Sequence, residues 1–96
     1  MSPINKKKLN KLRKNLDKLD NSFIKLVKKR TEIVKQVLKL KENKSQIVDK
    51  KRIKYILNQI RKKSIKKKID PRITNRIWKN MILSYIDYEK RNFKKK

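Results

Sequence analysis

The chain has 96 residues, of which 33 are Lys or Arg and 8 are Asp or Glu, for a formal charge of +25. It contains no Cys, no His and no Gly, which excludes disulfide frameworks, thiol nucleophiles, Ser-His dyads, zinc sites built on His or Cys, and glycine-rich phosphate loops. Leu, Ile, Val and Phe together make up 28 residues, about 29% and above the roughly 20% below which highly charged chains are disordered, so one small domain with a thin core is expected.

No apolar run approaches the ~20 residues of a membrane span, and Met1-Ser2-Pro3 leads into lysines rather than a signal-peptide core. A cytoplasmic protein is the expectation. The charge itself has two readings. Clustered cations suit nucleic acid or an acidic membrane. Yet Lys (26), Ile (13) and Asn (9) fill half the chain while Ala is absent, and these three residue types have AT-rich codons. Compositional drift therefore accounts for a solvated lysine surface. Lys also exceeds Arg by 26 to 7, although Arg is the better bidentate ligand for phosphates and bases. Nucleic-acid binding is thus the lesser reading, and the few arginines carry the information.

In chain order, apolar residues recur at 9, 12, 16, 19, 23, 26, 33, 37 and 40, the three-and-four spacing of a heptad seam. With no Pro or Gly from residue 4 to 43, this predicts one helix from about Asn5 to Glu42, ended near Asn43 as a substitute for a C-terminal Gly. Such a helix is about 57 Å long, more than a globule of this size is wide. Its seam must be buried against another chain.

Continuing the seam, the position between Leu26 and Ile33 is Arg30, a cation in a core register. It is either a coiled-coil specificity charge or a group awaiting an anionic ligand. Lys41 returns to nearly the same face about 16 Å further along, so the two long side chains could grip a small dianion. Arg13 lies roughly 42 Å from Lys41 and cannot share that pocket within one chain. If two first helices cross antiparallel near Phe23, however, Arg13 of one protomer reaches the region between Arg30 and Lys41 of the other, giving two shared sites.

After the polar connection Lys44-Ser45-Gln46, Asp49 is placed to cap a second helix running to about Lys67, with Ile53, Ile56, Leu57 and Ile60 on one face. Asp70-Pro71 opens a third helix, with Asp at the cap and Pro at the first helical position. Its Trp78, Ile82 and Tyr85 share a face that ends at Glu89. The reading is an all-α, three-helix protomer forming a single domain over 1–96, with 1–8 and 93–96 as flexible basic tails.

The ordered segments Leu12-Arg13-Lys14-Asn15-Leu16-Asp17-Lys18-Leu19-Asp20, Leu26-Val27-Lys28-Lys29-Arg30 and Val37 to Lys41 resemble the first helix of the all-helical chorismate mutases. Val48-Asp49-Lys50-Lys51-Arg52 and Ile69-Asp70-Pro71 through Trp78 to Ile86 and Glu89 extend the resemblance over about residues 9 to 90. It implies an intertwined homodimer that converts chorismate to prephenate in aromatic amino-acid biosynthesis, with no cofactor and no metal. By motif position, the resemblance gives Arg13 to the partner's site, Arg30 to a substrate carboxylate and Arg52 to a further cation near the substrate. Lys41 matches the lysine that bonds the ether oxygen and a carboxylate, Asp49 the acid near the ring hydroxyl, and Glu89 the group opposite Lys41 on the ether oxygen. The chemistry suits the composition, because a unimolecular pericyclic rearrangement needs confinement and facing cations, not a nucleophile.

Two positions depart from the mutase pattern. Ile53 stands where many members have a Glu, and Tyr85 where many have a small Ser. Both look like the related isochorismate-pyruvate lyases, which release pyruvate and form salicylate, whereas Asp49 points back to the mutase. Ile53 also fits simply as part of its apolar face, Tyr85 as a core aromatic, and Glu89 as a solvated carboxylate paired with Lys90 or Arg91 near a helix end.

Overall fold

The computed structural model describes residues 1–95 and contains three α-helices and one short 3-10 turn. Helix α1 spans Pro3–Leu40, the turn Lys44–Gln46, α2 Lys50–Lys66 and α3 Pro71–Asn92. Among the described residues there is no strand, so the all-α expectation holds. The chain divides into two compact units, Met1–Val34 and a second that begins at Lys35.

The first unit is helical from Pro3 onward. Most of the expected tail at 1–8 thus lies in α1, and Ser2 caps the helix, its Oγ accepting from Asn5 N at 3.1 Å and its carbonyl from Lys6 N at 2.8 Å. Pro3 sits at the first helical position, where a missing N–H is harmless. At the other end of the chain, residues 93–95 have no regular secondary structure; Lys96, the last residue of the expected 93–96 tail, lies outside the described residues.

The predicted seam is real, and it is uncovered. Its side chains from Leu12 to Leu40 are exposed, from 43% at Val37 to 78% at Leu40. A second stripe, one position away, is half-buried at Val27, Thr31, Val34 and Leu38. Arg30, expected in a core register, lies with the seam and is likewise exposed.

In the second unit α2 and α3 pack on each other. Ile53, Ile56, Leu57 and Ile60 of α2 are half-buried, as are Trp78, Ile82, Tyr85 and Ile86 of α3, which matches the faces read from their spacing. A polar link joins the pair. Ser64, buried in α2, lies 2.6 Å from both the Ile60 carbonyl and Thr74 Oγ1 of α3. A hydroxyl has one proton, so Ser64 donates to Ile60 and receives from Thr74, the assignment that makes both short bonds.

Both later helices start as the sequence implies. Asp49 accepts from Arg52 N at 3.0 Å, and Asp70 from Arg72 N at 2.9 Å ahead of Pro71. Each carboxylate satisfies a donor that the first turn leaves unpaired. The end of α2 is less expected. Lys68 takes a left-handed conformation with φ 58°, while Lys68 N donates to Ile65 O and Ile69 N to Ser64 O, at 3.1 and 2.9 Å. This is a Schellman cap, built on a lysine in a chain that has no glycine.

Candidate active site

Lys41 stands just beyond the last residue of α1. Its N–H donates to the Leu38 carbonyl at 3.1 Å, tightening the final turn. The chain does not leave through Asn43 in a left-handed conformation, as the sequence suggested. Asn43 is extended, with φ −124°, and the side chain of Gln46 reverses the direction instead. Gln46 Oε1 accepts from Glu42 N at 2.7 Å and from Asn43 N at 2.9 Å. Ile47 follows, 4% exposed and the one buried apolar side chain among the described residues.

Glu89 comes from α3, 48 positions along the chain, and its Oε1 accepts a hydrogen bond from Lys41 Nζ at 2.8 Å. The Glu89 side chain is 8% exposed and that of Lys41 18%. A pair so shielded is a charge-assisted bond that solvent weakens far less than a surface ion pair. The solvated alternative for Glu89 is thereby removed: α3 continues past it to Asn92, and Arg91 pairs with Asp87 at 2.8 Å. Trp78, Ile82 and Tyr85 lead along the helix to Glu89.

The remaining predicted site residues of the second unit are placed as follows. Asp49 and Arg52 are exposed at the start of α2, where the Asp49 carboxylate is occupied with its cap. An open hollow beside them is lined by Gln46, Val48, Asp49, Lys50 and Lys51. The Arg52 guanidinium lies over the Tyr55 ring, 5.3 Å from its centroid, a cation–π contact with an aromatic not singled out from sequence. Ile53 and Tyr85 are both half-buried. Arg13 and Arg30 belong to the first unit, both exposed on α1.

Of the seven predicted residues, direct contact joins Lys41 to Glu89, and Asp49 to the backbone of Arg52. Gln46 was missed. Its signal was the Asn43-x-x-Gln46 spacing, the pattern in which a side chain three residues on reaches back to a cap N–H. Among the described residues no group of three or more His, Cys, Asp or Glu side chains could hold a metal, and no helix is long and apolar enough to cross a membrane.

An ammonium and a carboxylate held together in a shielded place offer a hydrogen-bond donor and an acceptor side by side. Fold and side chains thus define a small all-helical protein with a shielded Lys–Glu pair. The profile of the chorismate mutase type II family matches residues 12–90, so the chain belongs to that family. No curated protein and no solved structure gives a significant match.

Proposed function

We propose that this protein is a chorismate mutase, an isomerase that converts chorismate to prephenate in aromatic amino-acid biosynthesis. The observation that supports this reading is the Lys41–Glu89 pair: two groups 48 residues apart meet at 2.8 Å in a shielded place, at the two positions to which the resemblance gives the ether oxygen. In the reaction the ether C–O bond breaks as a new C–C bond forms within one molecule, so atoms and electrons balance without a co-reactant. Catalysis then consists of holding the reactive conformer and stabilising charge that grows on the ether oxygen.

Lys41 donates to that oxygen and to a substrate carboxylate. Glu89 faces it from the other side. Arg30 takes one carboxylate, Arg52 adds a cation near the substrate, Asp49 receives the ring hydroxyl, and Tyr85 lines the site. Arg13 arrives from a second copy of the chain. The dimer this requires is supported by the uncovered seam of α1, since burying an aliphatic or aromatic side chain is worth about 1.5–3 kcal/mol.

The test is incubation of the purified protein with chorismate and, separately, with isochorismate. Prephenate from chorismate is expected. Pyruvate and salicylate from isochorismate, without prephenate, would replace the mutase by the lyase. Neither product would leave a binding protein.

A further inference from the structure

We propose that Gln46 is a positioning residue, whose side-chain oxygen fixes the direction in which Lys41 leaves the end of α1. The inference rests on the reading of Lys41 as a catalytic group and concerns what holds it there.

Lys41 lies outside the helix that precedes it, so the regular ladder of α1 does not set its direction. On its N-terminal side Lys41 N donates to Leu38 O at 3.1 Å. On its C-terminal side the next two N–H groups, of Glu42 and Asn43, converge on one acceptor, Gln46 Oε1, at 2.7 and 2.9 Å. Two successive amides aimed at one atom define the course of the chain immediately after Lys41. The Gln46 backbone closes the turn in its own right, its N–H donating to Asn43 O and that of Ile47 to Lys44 O, at 3.0 and 3.1 Å. Ile47 anchors the far side by burial, and Asp49 follows two residues later as the cap of α2. One short segment thus carries Lys41 at one end and Asp49 at the other, with Gln46 as the side chain that ties the first end down.

Location separates positioning from stability. Both bonds to Gln46 are exposed, so water can replace the acceptor when it is removed, and no buried donor is stranded. Truncation therefore leaves the fold nearly as stable and frees the backbone beside Lys41. Catalytic rates respond steeply to such freedom, because a displacement of about 1 Å in a reacting group can cost on the order of 100-fold. Only the oxygen of the Gln46 side chain is used, so a carboxylate of the same length does the same work and an isosteric apolar side chain does not.

The experiment compares Gln46→Glu and Gln46→Leu in the full chain. Hydrogen exchange of the Glu42 and Asn43 amides is read by NMR, alongside kcat, KM and thermal stability. Gln46→Leu is expected to lose protection at those two amides and about tenfold in kcat, with KM within about twofold and the melting temperature nearly unchanged. Gln46→Glu is expected to keep both protection and kcat. Unprotected amides with unchanged kcat in Gln46→Leu, or kcat lost in Gln46→Glu while the amides stay protected, would overturn the proposal. A rise in KM alone would do so too, by making Gln46 a substrate contact. If the wild-type protein makes no prephenate, the mutase reading fails instead. The amide exchange needs no substrate and still decides whether Gln46 holds the turn.

Discussion

Lys41 Nζ and Glu89 Oε1 lie 2.8 Å apart, with their side chains 18% and 8% exposed. The two groups are bonded to each other, so removing one leaves the other poorly solvated. Lys41→Met is expected to destabilise the protein by about 1–3 kcal/mol, whereas Glu89→Gln, which keeps an acceptor for the ammonium, costs less than about 1 kcal/mol. Urea denaturation at one fixed protomer concentration checks this, since a dimer's stability depends on concentration. Equal losses in the two variants would show that the pair contributes nothing specific. Prephenate formation should fall by at least about 100-fold in Lys41→Met, as it does when one preorganised donor is deleted from a charge-stabilising site.

The uncovered seam of α1 makes a second prediction. Phe23 is 53% exposed in the middle of it, and a charge there is incompatible with burial between two copies. Sedimentation should give a dimer for the wild type and a monomer for Phe23→Asp. A wild-type monomer at micromolar concentration would remove the shared site.

Within that dimer, Arg13→Ala and Arg30→Ala should each be inactive, and mixing them should restore part of the activity. Mixed dimers contain one site in which both arginines are intact. Absence of recovery after demonstrated subunit exchange would mean that Arg13 does not cross to the partner's site.

Lys68 offers a stabilising change. Its φ of 58° disfavours any residue with a Cβ, by about 1–2 kcal/mol, and glycine adopts this conformation freely. Part of that gain is offset by the greater entropy of glycine in the unfolded chain, so Lys68→Gly should raise stability by roughly 0.5–1 kcal/mol. A thermal melt that shifts down would show that the Lys68 side chain contributes more than its backbone costs.

Local chemistry was the legible part of this fold. Asp49, and Asp70 before Pro71, announce their helices because a carboxylate beside unpaired N–H groups acts within three residues. Ser2-Pro3 carries the same signal, and the lysines that follow obscured it. The end of α1 differs from the expected left-handed Asn43 for a physical reason: beyond a helix the chain can turn without a left-handed residue when a side chain a few positions on accepts from its N–H groups, as Gln46 does for Glu42 and Asn43. Lys68 could not be foreseen, since nothing in a lysine's own preferences favours positive φ. The apolar seam was legible as a seam. That a neighbouring stripe of α1 would be half-buried while the seam itself stayed open depends on packing, which spacing alone does not contain. At the site, the Lys41–Glu89 contact spans 48 residues, and only the family resemblance linked those positions in advance.

The last prediction follows from the two things Glu89 is asked to do. In the chain without substrate its Oε1 accepts from the Lys41 ammonium at 2.8 Å, a role that another side-chain oxygen at the same reach can fill. Opposite an ether oxygen that gains negative charge, the same position must present a hydrogen-bond donor. Glu89→Gln keeps an oxygen for Lys41 and offers an amide N–H, so kcat at saturating chorismate should stay within about tenfold of the wild type. Glu89→Leu offers neither and should lose on the order of 100-fold, as when one preorganised donor is deleted. An unchanged kcat in Glu89→Leu would take Glu89 out of the chemistry.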